Sequence, residues 1–182
     1  RMNRFIIADA SKCIGCRTCE VACVVSHHDT QNCASLTPQN FLPRIHVIKG
    51  VNVSTATMCR QCEDAPCASV CPNGAITRDN DFVHVHQERC IGCKTCVVAC
   101  PYGAMEVVLR PVVRSIGAGL NVMSEKAEAN KCDLCYHQPD GPACIQACPT
   151  NAIVCIDRQK LEQLSLEKRR RAALDNMSSL AL

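Results

Sequence analysis

Tryptophan is absent, and phenylalanine and tyrosine together supply only five of the 182 residues. A conventional core of this size draws more of its packing from aromatic rings, so something else must organise the interior. Long apolar runs are also missing. No stretch approaches the roughly 20 apolar residues needed to span a bilayer, which argues against direct membrane insertion. Near the start the only apolar run is Phe5 to Ala8, too short for a secretory signal. Met2 reads as the natural start, with Arg1 a remnant before it, and a reducing, cytoplasmic setting is expected. No Ser/His/Asp constellation, phosphate loop or flavin fingerprint is present, and "GAGLN" at Gly117 to Asn121 is too weak for a nucleotide site. No motif that reads RNA or DNA is found either. The basic run Lys168 to Arg171 lies in a Leu-containing helical tail beside Glu162 and Glu167, a pattern expected of a solvated helix face.

What the chain has in excess is cysteine, 18 residues. That density implies disulfides, metal or a redox cofactor. Sixteen of the 18 fall into four copies of one device. Cys13, Cys16, Cys19 and Cys23 are spaced C-x2-C-x2-C-x3-C. Cys59, Cys62, Cys67 and Cys71 follow C-x2-C-x4-C-x3-C-P. Cys90, Cys93, Cys96 and Cys100 repeat the first spacing with proline added, and Cys132, Cys135, Cys144 and Cys148 follow C-x2-C-x8-C-x3-C-P. Three copies share a tail, "CPNGAI", "CPYGAM" and "CPTNAI"; the first copy has Val24 where proline would stand, which fits a helix continuing through "VVSHH".

A [4Fe–4S] cube needs one soft thiolate at each iron corner. Three cysteines two residues apart can wrap a loop around one cube, and Gly15 and Gly92 allow the bends this requires. The fourth cysteine follows after a helical turn and faces elsewhere, towards a second cube in two-cluster ferredoxins. Proline then stops the helix and turns the chain into a strand. Strands are expected at "AITR", at "FVHVH" beyond a turn at Asp79-Asn80-Asp81, at "AMEVVL" and at "AIVCID". The reading is an α+β fold of two nested two-cluster units resembling bacterial ferredoxins, built of short hairpins and short helices, with a C-terminal helix. Residues 59–105 form the inner unit, residues 2–58 and 106–156 the split outer one, and residues 157–182 the helix and tail. The connecting segments, 35 residues from Cys23 to Cys59 and 31 from Cys100 to Cys132, are nearly equal, which favours nesting. Residues Arg110 to Asn130 read as an inserted loop around Gly117 and Gly119, and a helix is expected from near Asp157 with Leu161 and Leu164 on one side.

Zinc is the main rival metal. It prefers C-x2-C pairs well separated in sequence, a pattern the fourth set alone could satisfy. Cys155 is expected to be a buried thiol, and Cys33, in a loop, has no assigned role. His84 and His86 alternate in a strand and read as surface or half-buried; His27 and His28 read as exposed. Arg17 and Lys94, each between the second and third cysteines of a set, could raise a nearby cluster's potential, and plain surface solvation serves equally well. Sixteen thiolates remove sixteen charges and four oxidised cubane cores return eight, so the formal +3 becomes −5. The basic sequence pI therefore gives no reason to expect nucleic acid.

The segments "MNRFIIADASKCIGCRTCEVAC", "CRQCEDAPCASVCPNGAI", "CIGCKTCVVACPYGAMEV" and "KCDLC…GPACIQACPTNAI" resemble the four-cluster ferredoxin-like electron-transfer subunits of molybdenum oxidoreductases and formate hydrogenlyase systems, over most of residues 2 to 172. The resemblance implies four [4Fe–4S] clusters: one on Cys13, Cys16, Cys19 and Cys148, one on Cys132, Cys135, Cys144 and Cys23, one on Cys59, Cys62, Cys67 and Cys100, and one on Cys90, Cys93, Cys96 and Cys71. Some relatives carry a [3Fe–4S] centre in place of one cluster; here every position has its cysteine. It also implies an electron-transfer subunit, not itself an enzyme, that takes electrons from a molybdenum-containing formate dehydrogenase and passes them towards a hydrogenase or another acceptor. A different class of function, a maturation factor for the dehydrogenase or hydrogenase, is the alternative. A self-contained redox enzyme would need an open iron coordination site, and sixteen cysteines leave none.

Overall fold

A computed structural model of the chain describes residues 3–79, 81–117 and 119–178. Asn80 of the expected turn, the start at Met2 and the last four residues of the tail lie outside the described residues. The fold mixes short helices with small strands. Along the chain run β1 (Phe5–Ala8), α1 (Thr18–Ser26), a 3-10 turn at Cys33–Ser35, β2 (Ile45–Lys49), β3 (Ser54–Met58), α2 (Pro66–Ser69), β4 (Ile76–Asp79) and β5 (Phe82–Val85). Then follow α3 (Thr95–Ala99), β6 (Glu106–Ser115), β7 (Asn121–Asn130), α4 (Ala143–Gln146), β8 (Ile153–Ile156) and α5 (Arg158–Ser178). The strands form four antiparallel pairs: β1 with β8, β2 with β3, β4 with β5, and β6 with β7.

Proline sets helix length. Where Cys-Pro ends the motif, α2, α3 and α4 have 4, 5 and 4 residues; without it, α1 has 9. The expected strands after these prolines are β4, β6 and β8, and "FVHVH" supplies β5. The longest strand pairing belongs to the segment read as a loop. Residues Arg110 to Asn130 continue β6 and form β7, paired from Glu106↔Asn130 to Ser115↔Asn121. The two glycines taken as loop markers are its turn, with Gly117 at φ 91° and Gly119 at φ 77°. Pro111 lacks an N–H and is tolerated because each strand of a two-stranded ribbon is an edge. The β2–β3 hairpin was not anticipated, although "IHVIK" and "STATM" carry β-branched residues around Gly50.

The interior is built mainly from aliphatic side chains and thiols, with Phe82 the one aromatic ring among the buried described residues. One cluster joins Ile6, Ile45, Val47, Met58, Phe82, Leu134 and Ile153 to Cys19, Cys23, Cys59, Cys132 and Cys144. A second joins Ala65, Ile76, Val83, Met105 and Ala129 to Cys67 and Cys96. Buried Glu20 accepts the Val47 N–H at 2.6 Å and so fixes α1 to β2. Helix α5 begins as expected, with the Asp157 side chain accepting the Lys160 N–H at 2.8 Å. Leu161 and Leu164 are half-buried, and Lys168 to Arg171 are exposed. Among the described residues no helix is long and apolar enough to cross a membrane.

Candidate metal centres

The four cysteine loops share one backbone. The residue before the second cysteine is left-handed in every copy: Gly15 (φ 67°), Gln61 (φ 51°), Gly92 (φ 68°) and Leu134 (φ 59°). Such a bend turns successive N–H groups inward and makes an anion-binding concavity. At Gly15 an added Cβ would lie 2.8 Å from Ser54 Oγ, and at Gly92 it would collide with the Ala127 methyl. Those two glycines are thus required for close approach as well as for conformation. After the fourth cysteine, Gly74, Gly103 and Asn151 are also left-handed and return their N–H groups to the carbonyls of Cys71, Cys100 and Cys148 at 3.3, 3.4 and 3.3 Å.

Backbone donors face the sulfurs. The Ala75 N–H reaches Cys71 Sγ and the Ala152 N–H reaches Cys148 Sγ, both at 3.3 Å. In the first set, where the helix runs on, the Arg44 N–H takes this role at Cys23 Sγ, at 3.4 Å. Thr18 donates to Cys16 Sγ at 3.3 Å, and Thr95 lies 3.2 Å from Cys93 Sγ.

Three apolar cavities collect these cysteines. The first is lined by Cys71, Cys90, Cys93 and Cys96. The second has Cys23, Cys132, Cys135 and Cys144. The third has Cys13, Cys16, Cys19 and Cys148. In each, three cysteines come from one motif and one from another. The remaining four, Cys59, Cys62, Cys67 and Cys100, also act on one another. Burial first, then Cys59 and Cys100, pushes the Cys62 thiol up; burial, then Cys59, raises Cys67 to about 11. Burial likewise raises Cys23 and Cys132 to about 12. Cys16 and Cys93 are exposed, and their thiols are lowered by hydrogen bonds from Thr18 and Thr95.

The chemistry of this donor set fits iron–sulfur cubes. Three of the groups offer four soft sulfurs around an apolar space, with N–H and O–H donors aimed at sulfur. All eighteen cysteines are free of disulfides. Outside the four groups, Cys33 is exposed in the 3-10 turn, and Cys155, expected to be buried, is half-buried on β8 opposite Ile6.

Residues 10–25 and 83–106 match two family models, each described as a 4Fe-4S binding domain. Over 173 residues the chain is 82% identical to the electron transport protein HydN of Escherichia coli (strain K12), covering 95% of this chain and 99% of that protein. The chain belongs to the HydN family of iron–sulfur electron-transport proteins. Formate hydrogenlyase subunit 2 of the same organism is 39% identical over 92% of this chain and 89% of its own length. As a member of the HydN family the chain binds 4Fe-4S clusters and transfers electrons.

Several residues around the HydN-type sites escaped sequence reasoning. His27 and His28 are not exposed, as expected, but half-buried. The side chain of His27 is only 11% exposed, with Nε2 3.0 Å from Asp133 Oδ1 and Nδ1 2.7 Å from the Cys23 carbonyl. The missing proline explains this, because α1 continues until His27 meets the loop of the fourth set. Arg44 Nη1 lies 2.5 Å from Asp133 Oδ2. Burial alone would raise the Asp133 carboxyl; the His27 hydrogen bond and the Arg44 charge outweigh it and hold it well below the usual range. His84 and His86 are half-buried, as expected. Asn3, Gln61 and Lys131 are buried polar residues that no motif signalled. For Lys131 and Asp133 the available signal was position, since they flank Cys132 in "KCDLC".

Proposed function

We propose that the chain holds four [4Fe–4S] clusters and relays single electrons from a molybdenum-containing formate dehydrogenase towards a hydrogenase or another acceptor, in the reducing cytoplasm. The ligand sets are Cys13, Cys16, Cys19 with Cys148; Cys132, Cys135, Cys144 with Cys23; Cys59, Cys62, Cys67 with Cys100; and Cys90, Cys93, Cys96 with Cys71. The observation that carries this reading is the crosswise lining of the three cavities, each drawing three cysteines from one motif and one from another. It agrees with two nested units, residues 59–105 within 2–58 and 106–156, and the β1–β8 pairing that joins the two outer segments supports the nesting.

Each cluster, when bound, supplies a site that accepts and returns one electron. The chain's own residues set spacing, burial and local charge. Cysteines of the first, second and fourth sets pack in one core cluster, and cysteines of the second and third in another, which orders the sets in a row. The end sets present Cys16 and Cys93 to solvent, beside exposed Ile14 and Ile91. Partners are therefore expected to meet the chain at these two ends. The formate hydrogenlyase name of a full-length relative supports the choice of partner. We read the chain as a carrier within a larger redox assembly, with no substrate of its own.

Two measurements test this. Anaerobically purified protein should contain about sixteen irons and as many acid-labile sulfides, four per cube. Stopped-flow mixing of the oxidised protein with the formate dehydrogenase and formate should bleach its visible absorbance on a catalytic timescale. Stoichiometric zinc without sulfide would end the cluster assignment. A full iron complement without bleaching would end the partner assignment alone.

A further inference from the structure

Lysines and arginines stand beside the cysteine loops in different surroundings; Lys12 and Arg89 are exposed and Arg60 half-buried. Arg17 and Lys94 are exposed, so water screens their charge. Lys131 is 3% exposed. At an effective dielectric of about 20 a charge acts roughly four times more strongly than in bulk water at about 80. Of the lysines beside the cysteine loops Lys131 alone is buried, so water screens its charge least.

Lys131 Nζ donates to the Cys132 carbonyl at 2.7 Å and to Gln61 Oε1 at 3.4 Å. Gln61, 2% exposed, donates through Nε2 to the same carbonyl at 2.8 Å, accepts the Val83 N–H at 2.9 Å, and sends its own N–H to Cys59 Sγ at 3.5 Å. One carbonyl of the fourth set is thus gripped by a lysine and by an amide of the second set. Among the described residues no carboxylate forms an ion pair with Lys131; the nearby Asp133 is engaged by Arg44 and His27. A buried charge needs a counter-charge. Geometry ties Lys131 to both sets: its Nζ holds the carbonyl of Cys132, and it meets the side chain of Gln61, whose own N–H reaches Cys59 Sγ.

We propose that Lys131 sets the potentials of the two inner centres, the one on Cys59, Cys62, Cys67 and Cys100 and the one on Cys23, Cys132, Cys135 and Cys144. This rests on the ligand sets proposed above. Its charge is balanced by the ligand sulfurs of both sets. A fixed cation favours the added electron at each, so both inner centres are easier to reduce than the same cubes would be without it. One side chain thereby keeps two adjacent steps of the relay matched, since any change in its charge moves both together.

The test is an EPR-monitored redox titration of the anaerobic holoprotein, with iron and sulfide counted on the same samples. In Lys131→Met two of the four midpoint potentials should fall by at least a tenfold change in equilibrium constant, about 59 mV for a one-electron couple. The other two should hold. Lys131→Arg should restore the pair, and Lys94→Gln, an exposed control, should shift no centre by as much. Sixteen irons with all four potentials unmoved, or all four moved equally, would overturn the role of Lys131. Lys131→Gln provides a second neutral variant if Lys131→Met loses iron. Loss of iron in both neutral variants but not in Lys131→Arg would make the charge an assembly requirement and overturn tuning. A wild-type count well short of sixteen irons would instead overturn the ligand reading beneath it.

Discussion

The loops of the first and third sets differ from those of the second and fourth, although all four adopt the same left-handed bend. In the first and third the bend falls on Gly15 and Gly92, and the next cysteine is exposed. In the second and fourth it falls on Gln61 and Leu134, which are buried at 2% and 4% exposure. A left-handed non-glycine residue costs roughly 1 kcal/mol, so these side chains must return more than that. Gln61 does so by bonding across to Cys132 and Val83, and Leu134 by packing against the core that contains Ile6 and Met58. A loop at the end of the row needs only to wrap its sulfurs closely. One in the middle must also join two halves of the molecule.

The strongest test of this contrast exchanges a proposed ligand in each kind of loop. Cys132→Ser should remove about four irons and lower the midpoint of thermal unfolding by well over 10 °C, because Cys132 is buried at the joint. Cys16→Ser lies at the exposed end and should perturb one centre while leaving the rest of the fold near wild-type stability. Iron analysis with differential scanning calorimetry under argon separates the two; equal damage from both would remove the distinction. Next in size is Asp133→Asn, which leaves Arg44 and His27 facing a neutral group. The expected cost is about 3 kcal/mol, the lower end for breaking a buried pair. The folded carboxyl is held below its ordinary value, so its contribution is complete above about pH 4 and is lost only as acid protonates it. The stability gap between wild type and variant should therefore narrow as the pH falls below about 4. Smaller still is Gly92→Ala, where left-handed strain and the contact with Ala127 together should cost roughly 2 kcal/mol. Adding Ala127→Gly should recover part of it.

How far the chain could be read in advance follows the same division. The four cysteine sets were legible because their spacing repeats, and Cys-Pro marked the ends of α2, α3 and α4 through a missing N–H. The strands after those prolines were legible for the same reason. The β6–β7 ribbon was not, because Gly117 and Gly119 signal a loop and a hairpin turn alike, and only pairing with a distant strand decides between them. Nor were Gln61, Lys131 and His27. Each is polar in sequence and withdrawn from solvent in the structure, and one partner of each lies 71, 70 and 106 residues away in the chain. Periodicity is local and cannot report contacts of that separation. The absent proline at Val24 was a visible clue whose consequence, delivery of His27 to Asp133, required the tertiary structure.

Helix α5 makes the smallest contribution to the cluster-bearing fold and so gives the weakest expected effect on stability. From Arg158 to Asp175 it is almost wholly exposed, and only Leu161, Leu164 and Ser165 are half-buried. Burying two leucines partway is worth about 2 kcal/mol at most, and the ion pair Arg158–Glu162 on its surface adds a few tenths. Truncation after Ile156 spares β8, whose pairing with β1 ends at Ile156. The truncated chain should therefore keep its iron and lose no more than about 2 kcal/mol of stability. A helix with so little of itself packed inward presents most of its length to solvent, and truncation should weaken co-purification with the proposed dehydrogenase partner more than it weakens the fold. Iron lost on truncation would place α5 with the inner loops, as part of what holds the centres, and not with the exposed ends.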